Sequence, residues 1–402
     1  MNSALLADDA CTETEVCDDE RFDASVRIRY ANIDDNVNQN ANALTASVHI
    51  TLRTPDLNGF SATLTTEHVN DFGIDSYNDG GTNGQVQYAA EVDPSGTELD
   101  EGFIQYANED WRVRWGRQYI DFGTGPQRFI SSVRWRQNYQ TFDALTVDSQ
   151  VNDKLHVEGA IFEKVYRVIG RDHPNRAARE WDMDGFGIHS TYAITPKVNL
   201  EGYALNLDFV DNDLLSARTL GLKLDGDCGF VNGSCVIDLA TQSPLSDSVA
   251  DYNVQYLHTT IEIPFANFAK QNTSGSVAFR ATLLEGDGEN SFKTPLAALH
   301  AFAGWSDRFL VNTPTVGLTD IQLRLAEKLL GWDVQANLHH LRASRETEER
   351  KFGNEIDLLA SRTLGKYKWL FKLAHFQGNE DWRPHSYGTN VTKAWVSVEF
   401  AL

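Results

Sequence analysis

The chain has 402 residues, 41% of them hydrophobic, with a formal net charge of −22 and a mean hydropathy of −0.39. No stretch of about 18 uncharged apolar residues occurs, which excludes a helical membrane protein, and so acidic a chain lacks the basic footprint that nucleic acid requires. A transmembrane β-barrel is compatible with this hydropathy because each spanning strand gives only half its side chains to lipid, and 9 Trp with 13 Tyr suit interfacial girdles.

Residues 1–20 carry seven acids and no Lys or Arg and read as an acidic N-terminal periplasmic extension. Its apolar run, residues 4–7, is too short for an export signal and has no basic residue before it, so the signal is expected to have been removed. From residue 21 onward apolar and polar residues alternate, as in a sheet with lipid on one side and water on the other. Alternating segments fall at 22–32, 42–53, 58–69, 99–107, 111–120, 138–149, 154–164, 184–194, 197–208, 217–225, 251–261, 275–285, 318–328, 331–342, 354–364, 366–376 and 391–402. The last ends with Val396, Val398, Phe400 and Leu402 alternating with Ser397, Glu399 and Ala401.

Tight links such as 54–59, 108–110, 195–196 and 365–366 alternate with long ones such as 70–98, 120–137, 165–183 and 286–317. Short periplasmic turns and long outer loops are the pattern of an up-and-down barrel. The segments number seventeen, one short of the even count that brings both termini to the periplasmic side. The missing strand is expected within Thr260 to Asn272. The fold class is therefore all-β, an antiparallel up-and-down transmembrane barrel of eighteen strands over residues 21–402, with sixteen as the alternative. Segment 226–250, long where a turn is due, reads as a disulfide-closed insertion.

Strand phase sorts the charges. In 22–32, Ala24, Val26, Ile28 and Tyr30 share a face and leave Arg27 and Arg29 on the other. An Arg turned to mid-membrane lipid costs about 2–4 kcal/mol, so these two look inward. The same phase places Arg112 and Arg114 opposite Trp111, Val113 and Trp115. Arg280 falls opposite Phe279, Arg324 opposite Leu323 and Leu325, and Lys368 and Lys372 opposite Trp369 and Phe371. Residues 111–137 add Arg117, Arg128, Arg134 and Arg136 against Asp121 alone, and Arg167, Arg171, Arg176 and Arg179 crowd the next long loop.

Guanidinium groups so placed repel one another unless something negative is brought to them, which an anion-selective pore would exploit. Two readings stay open: selection of an anionic solute, or a structural ladder paired with Asp143, Asp148, Glu158, Glu201, Asp320, Asp333, Asp357 and Glu399.

Four cysteines form two close pairs, Cys11 with Cys17 and Cys228 with Cys235, which suggests two small disulfide loops in an oxidising compartment. Asp71, Asp75 and Asp79 supply oxygen ligands for Ca²⁺ at the outer loops but match no loop motif; no other metal or cofactor is expected. Segment 286–317 is too apolar for a free loop and is expected to fold inward and narrow the barrel, carrying His300, Trp305, Asp307 and Arg308 into the constriction.

The run WGRQYIDFGTGPQRFISSVRWRQNYQTFDAL at 115–145 resembles the GRQ strand end, outer loop and tFD strand of alginate-export-type outer-membrane porins. GDGENSF with LHAFAGWSDRFLVNTPTVGLTDIQLRL, within 286–325, is similar to a second segment of that family. The resemblance implies a monomeric eighteen-stranded barrel in outer-membrane lipid and lipopolysaccharide, passing acidic sugars, polyuronates or small carboxylates. It also implies constriction roles for Arg117 and Arg136, with Arg29 a third.

No catalytic residue is assigned, since no GxSxG, HExxH or phosphate-loop motif occurs. The alternatives are an outer-membrane hydrolase built on His300, Ser306 and Asp307, and a scaffold barrel around a periplasmic partner. His339 and His340, adjacent on a strand, point to opposite faces and cannot share a metal.

Overall fold

A computed structural model describes residues 21–123, 127–245, 250–266, 274–309 and 313–402. The acidic extension, with Cys11 and Cys17, lies outside these residues. The strands are β1 (Phe22–Asp34), β2 (Ala41–Arg53), β3 (Phe60–Asn70), β4 (Gly96–Ala107), β5 (Trp111–Gln118) and β6 (Thr141–Asn152). They continue with β7 (Leu155–Tyr166), β8 (Glu180–Thr195), β9 (Val198–Phe209), β10 (Ala217–Asp227), β11 (Ser234–Ser243) and β12 (Val254–Ala266). The last six are β13 (Ser274–Leu284), β14 (Leu318–Leu329), β15 (Trp332–Arg342), β16 (Lys351–Leu364), β17 (Tyr367–Gly378) and β18 (Val391–Ala401).

Each strand pairs antiparallel with its neighbours in sequence, and β1 closes on β18 with Val26 opposite Phe400 and Ile28 opposite Val398. A two-residue piece, Asp75–Ser76, adds to β2. The result is a closed antiparallel barrel of eighteen spanning strands. Closure leaves no backbone edge unpaired, the condition a sheet must meet inside lipid.

The phase of the strands follows their alternation. Leu64, Ile104, Trp115, Ile161, Phe186, Leu222, Leu239, Phe279, Leu338 and Phe371 are exposed on the outer face. Apolar exposure on that scale marks a surface made for lipid. No helix among the described residues is long and apolar enough to cross a membrane.

The eighteenth strand is not where the strand count placed it. β12 pairs directly with β13, Tyr256 opposite Leu284, so no strand lies between them. The missing strand is β11, inside the segment read as an insertion. Ile237 and Leu239 face outward while Asp238 and Gln242 are buried inside. A Cys228–Cys235 disulfide, with Cα atoms 4.9 Å apart, closes the turn that leads into it. The turn, residues 228–233, is thus short.

Three long connections fold into the barrel through their described residues, 71–95, 119–123 with 127–140, and 285–309 with 313–317. Ile130 and Leu296 form a bridge between the second and third. Phe292, Trp305 and Phe309 pack with Tyr77, Tyr256, Phe352, Phe376 and Trp395 in one interior apolar cluster. The first connection brings acids inside: Glu91 is 1% exposed and Asp93 0%.

Candidate functional site

The inner wall of β1 carries Arg27 and Arg29, and both grip the backbone of 119–140. Arg27 donates to the carbonyls of Arg134 (2.9 Å) and Arg136 (3.1 Å), and Arg29 to that of Trp135 (2.6 Å). Arg27 also pairs with Glu399 (3.3 Å), and Arg29 with Asp93 (3.3 Å). Two wall arginines thus satisfy three successive carbonyls that would otherwise be buried without partners.

Arg136 lies at the centre, 3.3 Å from both Glu91 and Asp307. Asp307 accepts from Lys393 (2.8 Å) and lies 2.6 Å from His300 Nδ1. Lys372 donates to His300 Nε2 (2.7 Å), and its ammonium sits 3.9 Å from the ring centroids of Trp135 and Trp305. Trp135 stacks on His300 at 4.3 Å. Burial pushes the His300 imidazole down to about 3, so it is neutral and accepts from Lys372. Burial alone would raise the Asp307 carboxyl, but His300, Lys393 and Arg136 hold it well below the usual carboxylate range. Gly304, at φ +87°, leaves room for the Glu355 carboxylate, since a Cβ there would stand 2.3 Å from its oxygen.

This interior knot gathers Arg29, Arg136, Lys372, His300, Trp305 and Asp307 from the sequence reading. Its other members, Glu91, Asp93, Lys393 and Glu355, escaped that reading. The inward phase of Lys393 was readable beside Trp395; the acids on the 71–95 segment gave no local sign of burial. Arg308 sits beside the knot and donates to the Asn390 carbonyl (2.9 Å).

The remaining inward cations are arranged differently. Arg112 pairs with Asp148 (3.3 Å), Arg114 bonds Gln105 (2.9 Å), and Arg134 faces Asp121 (3.8 Å) and the Tyr119 ring (4.9 Å). These three, with Arg280 and Lys368, remain partly exposed. Arg324 is buried against Glu262 (3.4 Å).

Arg117 is a correction. It shares the phase of Trp111 and Trp115, which are exposed on the outer face, and bonds Asp143 (2.8 Å) beneath Tyr166. With Lys164, Glu180, Asp182 and Arg176 it forms an outward charged belt at the long-loop rim. It is not a constriction residue. Arg176 and Arg179, from the arginine-crowded loop, are likewise engaged with Glu180.

The acids suggested as ladder partners divide by what they meet. Asp148 and Glu399 serve inward arginines. Glu158 and Glu201 each lie 3.0 Å from a ring nitrogen of His189. Asp320 (2.9 Å) and Asp357 (3.3 Å) flank His339 in the same way. A third such histidine, His49, lies 3.1 Å from Asp100 and 3.7 Å from Glu67. His340 points away to Asn354.

The hydrolase geometry does not assemble: the Ser306 hydroxyl donates to Glu355 (2.5 Å), and His300 is engaged by Lys372 and Asp307. Asp79, meant for Ca²⁺, accepts backbone N–H groups of Gly81, Thr82 and Asn83. Asp71 caps Gly73 and Asp75 accepts from Gln85. The three form no converging group among the described residues.

The barrel is similar to solved Occ and Opd channels. OccK9 (OpdG) of Pseudomonas aeruginosa superposes with a TM-score of 0.70 at 12% identity, over 95% of this chain and 97% of that one. OccAB4 of Acinetobacter baumannii gives 0.66 at 11%, over 95% and 97%. P. aeruginosa OpdK with vanillate gives 0.66 at 11%, over 95% and 98%. No protein-family model and no curated protein matches the chain. At such identities the likeness establishes the fold alone, a closed antiparallel barrel of eighteen spanning strands. It agrees with the barrel that the expected resemblance implies and lends nothing to the alginate-export part.

Proposed function

We propose that the chain is a bacterial outer-membrane channel for passive, anion-selective passage of small carboxylates, with both termini periplasmic. The observation that carries this reading is the set of inward cations left within reach of water, Arg112, Arg114, Arg134, Arg280 and Lys368. Their buried counterparts are already committed to protein carboxylates and carbonyls. Arg meets a carboxylate bidentately, which orients as well as attracts, and several weak sites in series allow a solute to enter and leave.

Three inward segments occupy the lumen, which favours small solutes over a polyuronate chain. Half-buried Tyr119 and Tyr139, beside Arg134 and Arg27, offer faces on which an aromatic carboxylate can stack. The vanillate named with OpdK belongs to that chemical class.

The test is a reversal potential across a planar bilayer under a KCl gradient. Anion selectivity is expected, falling toward neutrality in the triple variant Arg112→Gln, Arg114→Gln, Arg280→Gln, and benzoate is expected to reduce chloride current more than a neutral analogue does. Cation selectivity that survives the triple substitution rejects the reading.

A further inference from the structure

We propose that His49, Glu67 and Asp100 bind one divalent cation of the zinc class on the inner wall, tying segment 119–140 to β2, β3 and β4. Strand register builds the site. His49 and Glu67 stand directly opposite each other on β2 and β3. Between β3 and β4 the register slips: Thr65 faces Glu101, Thr66 faces Leu99, and Asp100 is the extra residue. A bulge re-aims the side chain it carries, and here it turns Asp100 inward beside the other two. One ligand atom from each residue lies within 4.8 Å of the others, and the three residues are 8%, 1% and 2% exposed.

The other two carboxylate-flanked histidines supply the internal comparison. At His189 and His339 both ring nitrogens have a carboxylate oxygen at 2.9–3.3 Å. At His49 only Nδ1 does. Nε2 stands 3.7 Å from Glu67 Oε2, and Nε2 and the other Glu67 oxygen, Oε1, are buried with no hydrogen-bond partner among the described residues. An unsatisfied donor or acceptor inside a protein is expensive, and an imidazole nitrogen converging with carboxylate oxygens is a metal donor set. Zinc takes such donors at about 2.0–2.2 Å. The imidazole favours a borderline cation over Ca²⁺ or Mg²⁺.

The surroundings fit an ion as well. Asp100 and Glu67 stand with Glu98 and Glu101, and of the nearby cations Arg27 is bonded to Glu399 and loop carbonyls while Arg114 and Arg134 face Glu101. Two groups from 119–140 hold the donors in place. The Tyr119 hydroxyl donates to Asp100 (2.6 Å), and the Tyr139 N–H donates to Glu67 (3.2 Å) while its ring stacks on His49 at 4.4 Å. Such outer partners orient ligands and tune affinity. Because the same segment carries Arg134 and Arg136, an ion here would steady the constriction.

The test is calorimetric titration of Zn²⁺ into the full-length, chelator-stripped protein in detergent, with folding checked by circular dichroism. One equivalent is expected to bind, and Ca²⁺ at the same concentration is not expected to displace it. Glu67→Gln, nearly isosteric, and His49→Ala are expected to lose that equivalent; His189→Ala is expected to keep it. Tyr119→Phe, an outer partner, is expected to weaken binding about 10–100-fold. No stoichiometric binding to the wild type, or binding that survives Glu67→Gln, overturns the proposal. So does equal loss on His189→Ala, which would make all three histidines ordinary ion-paired groups. Bilayer selectivity plays no part in this readout, so it stands or falls apart from the transport reading.

Discussion

Arg136 and Arg114 lie on neighbouring stretches of chain and both look into the lumen, yet they live under different physics. Arg136 is 5% exposed and held between Glu91 and Asp307; Arg114 remains partly exposed, bonds Gln105 and faces Glu101. Charge in a dry interior must be paired, and removing one partner strands the other. A guanidinium that water reaches carries no such obligation and can trade water for a solute carboxylate. The comparison therefore assigns the arginine excess to two tasks, with burial as the divider: fastening the inward segments, and meeting the solute.

Arg136→Ala should produce the largest change. Breaking a buried pair costs about 3–5 kcal/mol, here by leaving Glu91 and Asp307 without their shared cation. The expected outcome is release of 285–317 from the wall, read as a lower thermal midpoint and larger, noisier single-channel conductance. A variant with unchanged midpoint and conductance would break the comparison at its strongest point.

Acid should loosen the same knot without a mutation. The His300 pKa is lowered to about 3 by burial, whereas a freed imidazole titrates near 6.5. Between those values the released state binds the proton and the closed state does not, so closure weakens as pH falls, by roughly 1 kcal/mol per unit. Asp307, held low, adds to the loss only below the ordinary Asp range. Conductance steps that lengthen between pH 6.5 and 4, and do so less in His300→Gln, are the expected signature. Closure strengthened by acid would show His300 to be charged.

The barrel was legible in the alternation because lipid on one side and water on the other leaves a period-two record in nearly every strand. β11 was the exception: Ile237 and Leu239 alternate with Asp238 and Gln242 as they should, but a nearby Cys pair made the segment look like a loop. Phase sets Arg27, Arg29, Arg112, Arg114, Arg280 and Arg324 opposite the exposed apolar residues of their strands. It could not say which of them are buried, because the covering carboxylates, Asp93 and Asp307 among them, arrive on segments hundreds of residues away or outside any strand. The His49, Glu67 and Asp100 cluster was invisible for the same reason, since three strands and a bulge bring it together.

Arg114→Gln should sharpen the other half of the comparison. Its stability effect is expected to stay within about 1 kcal/mol, as for other partly solvated groups, while the reversal potential moves measurably toward zero. A large fall in midpoint with unchanged selectivity would move Arg114 into the fastening group.

Arg117→Ala should do least, and that makes it the cleanest control. Strand parity puts Arg117 with Trp111 and Trp115, whereas likeness to a porin motif put it in the constriction; the two arguments disagree, and the bond to Asp143 on the outer face sides with parity. Rim ion pairs contribute about 0–1 kcal/mol, so the thermal midpoint should barely shift. Selectivity and benzoate block should match the wild type, because no lumenal charge is removed. If the single substitution lowered anion selectivity as far as Arg114→Gln does, Arg117 would have to reach the ion path. The outward phase of the β5 strand end, and with it the division between the lumen and the outer belt, would then be wrong.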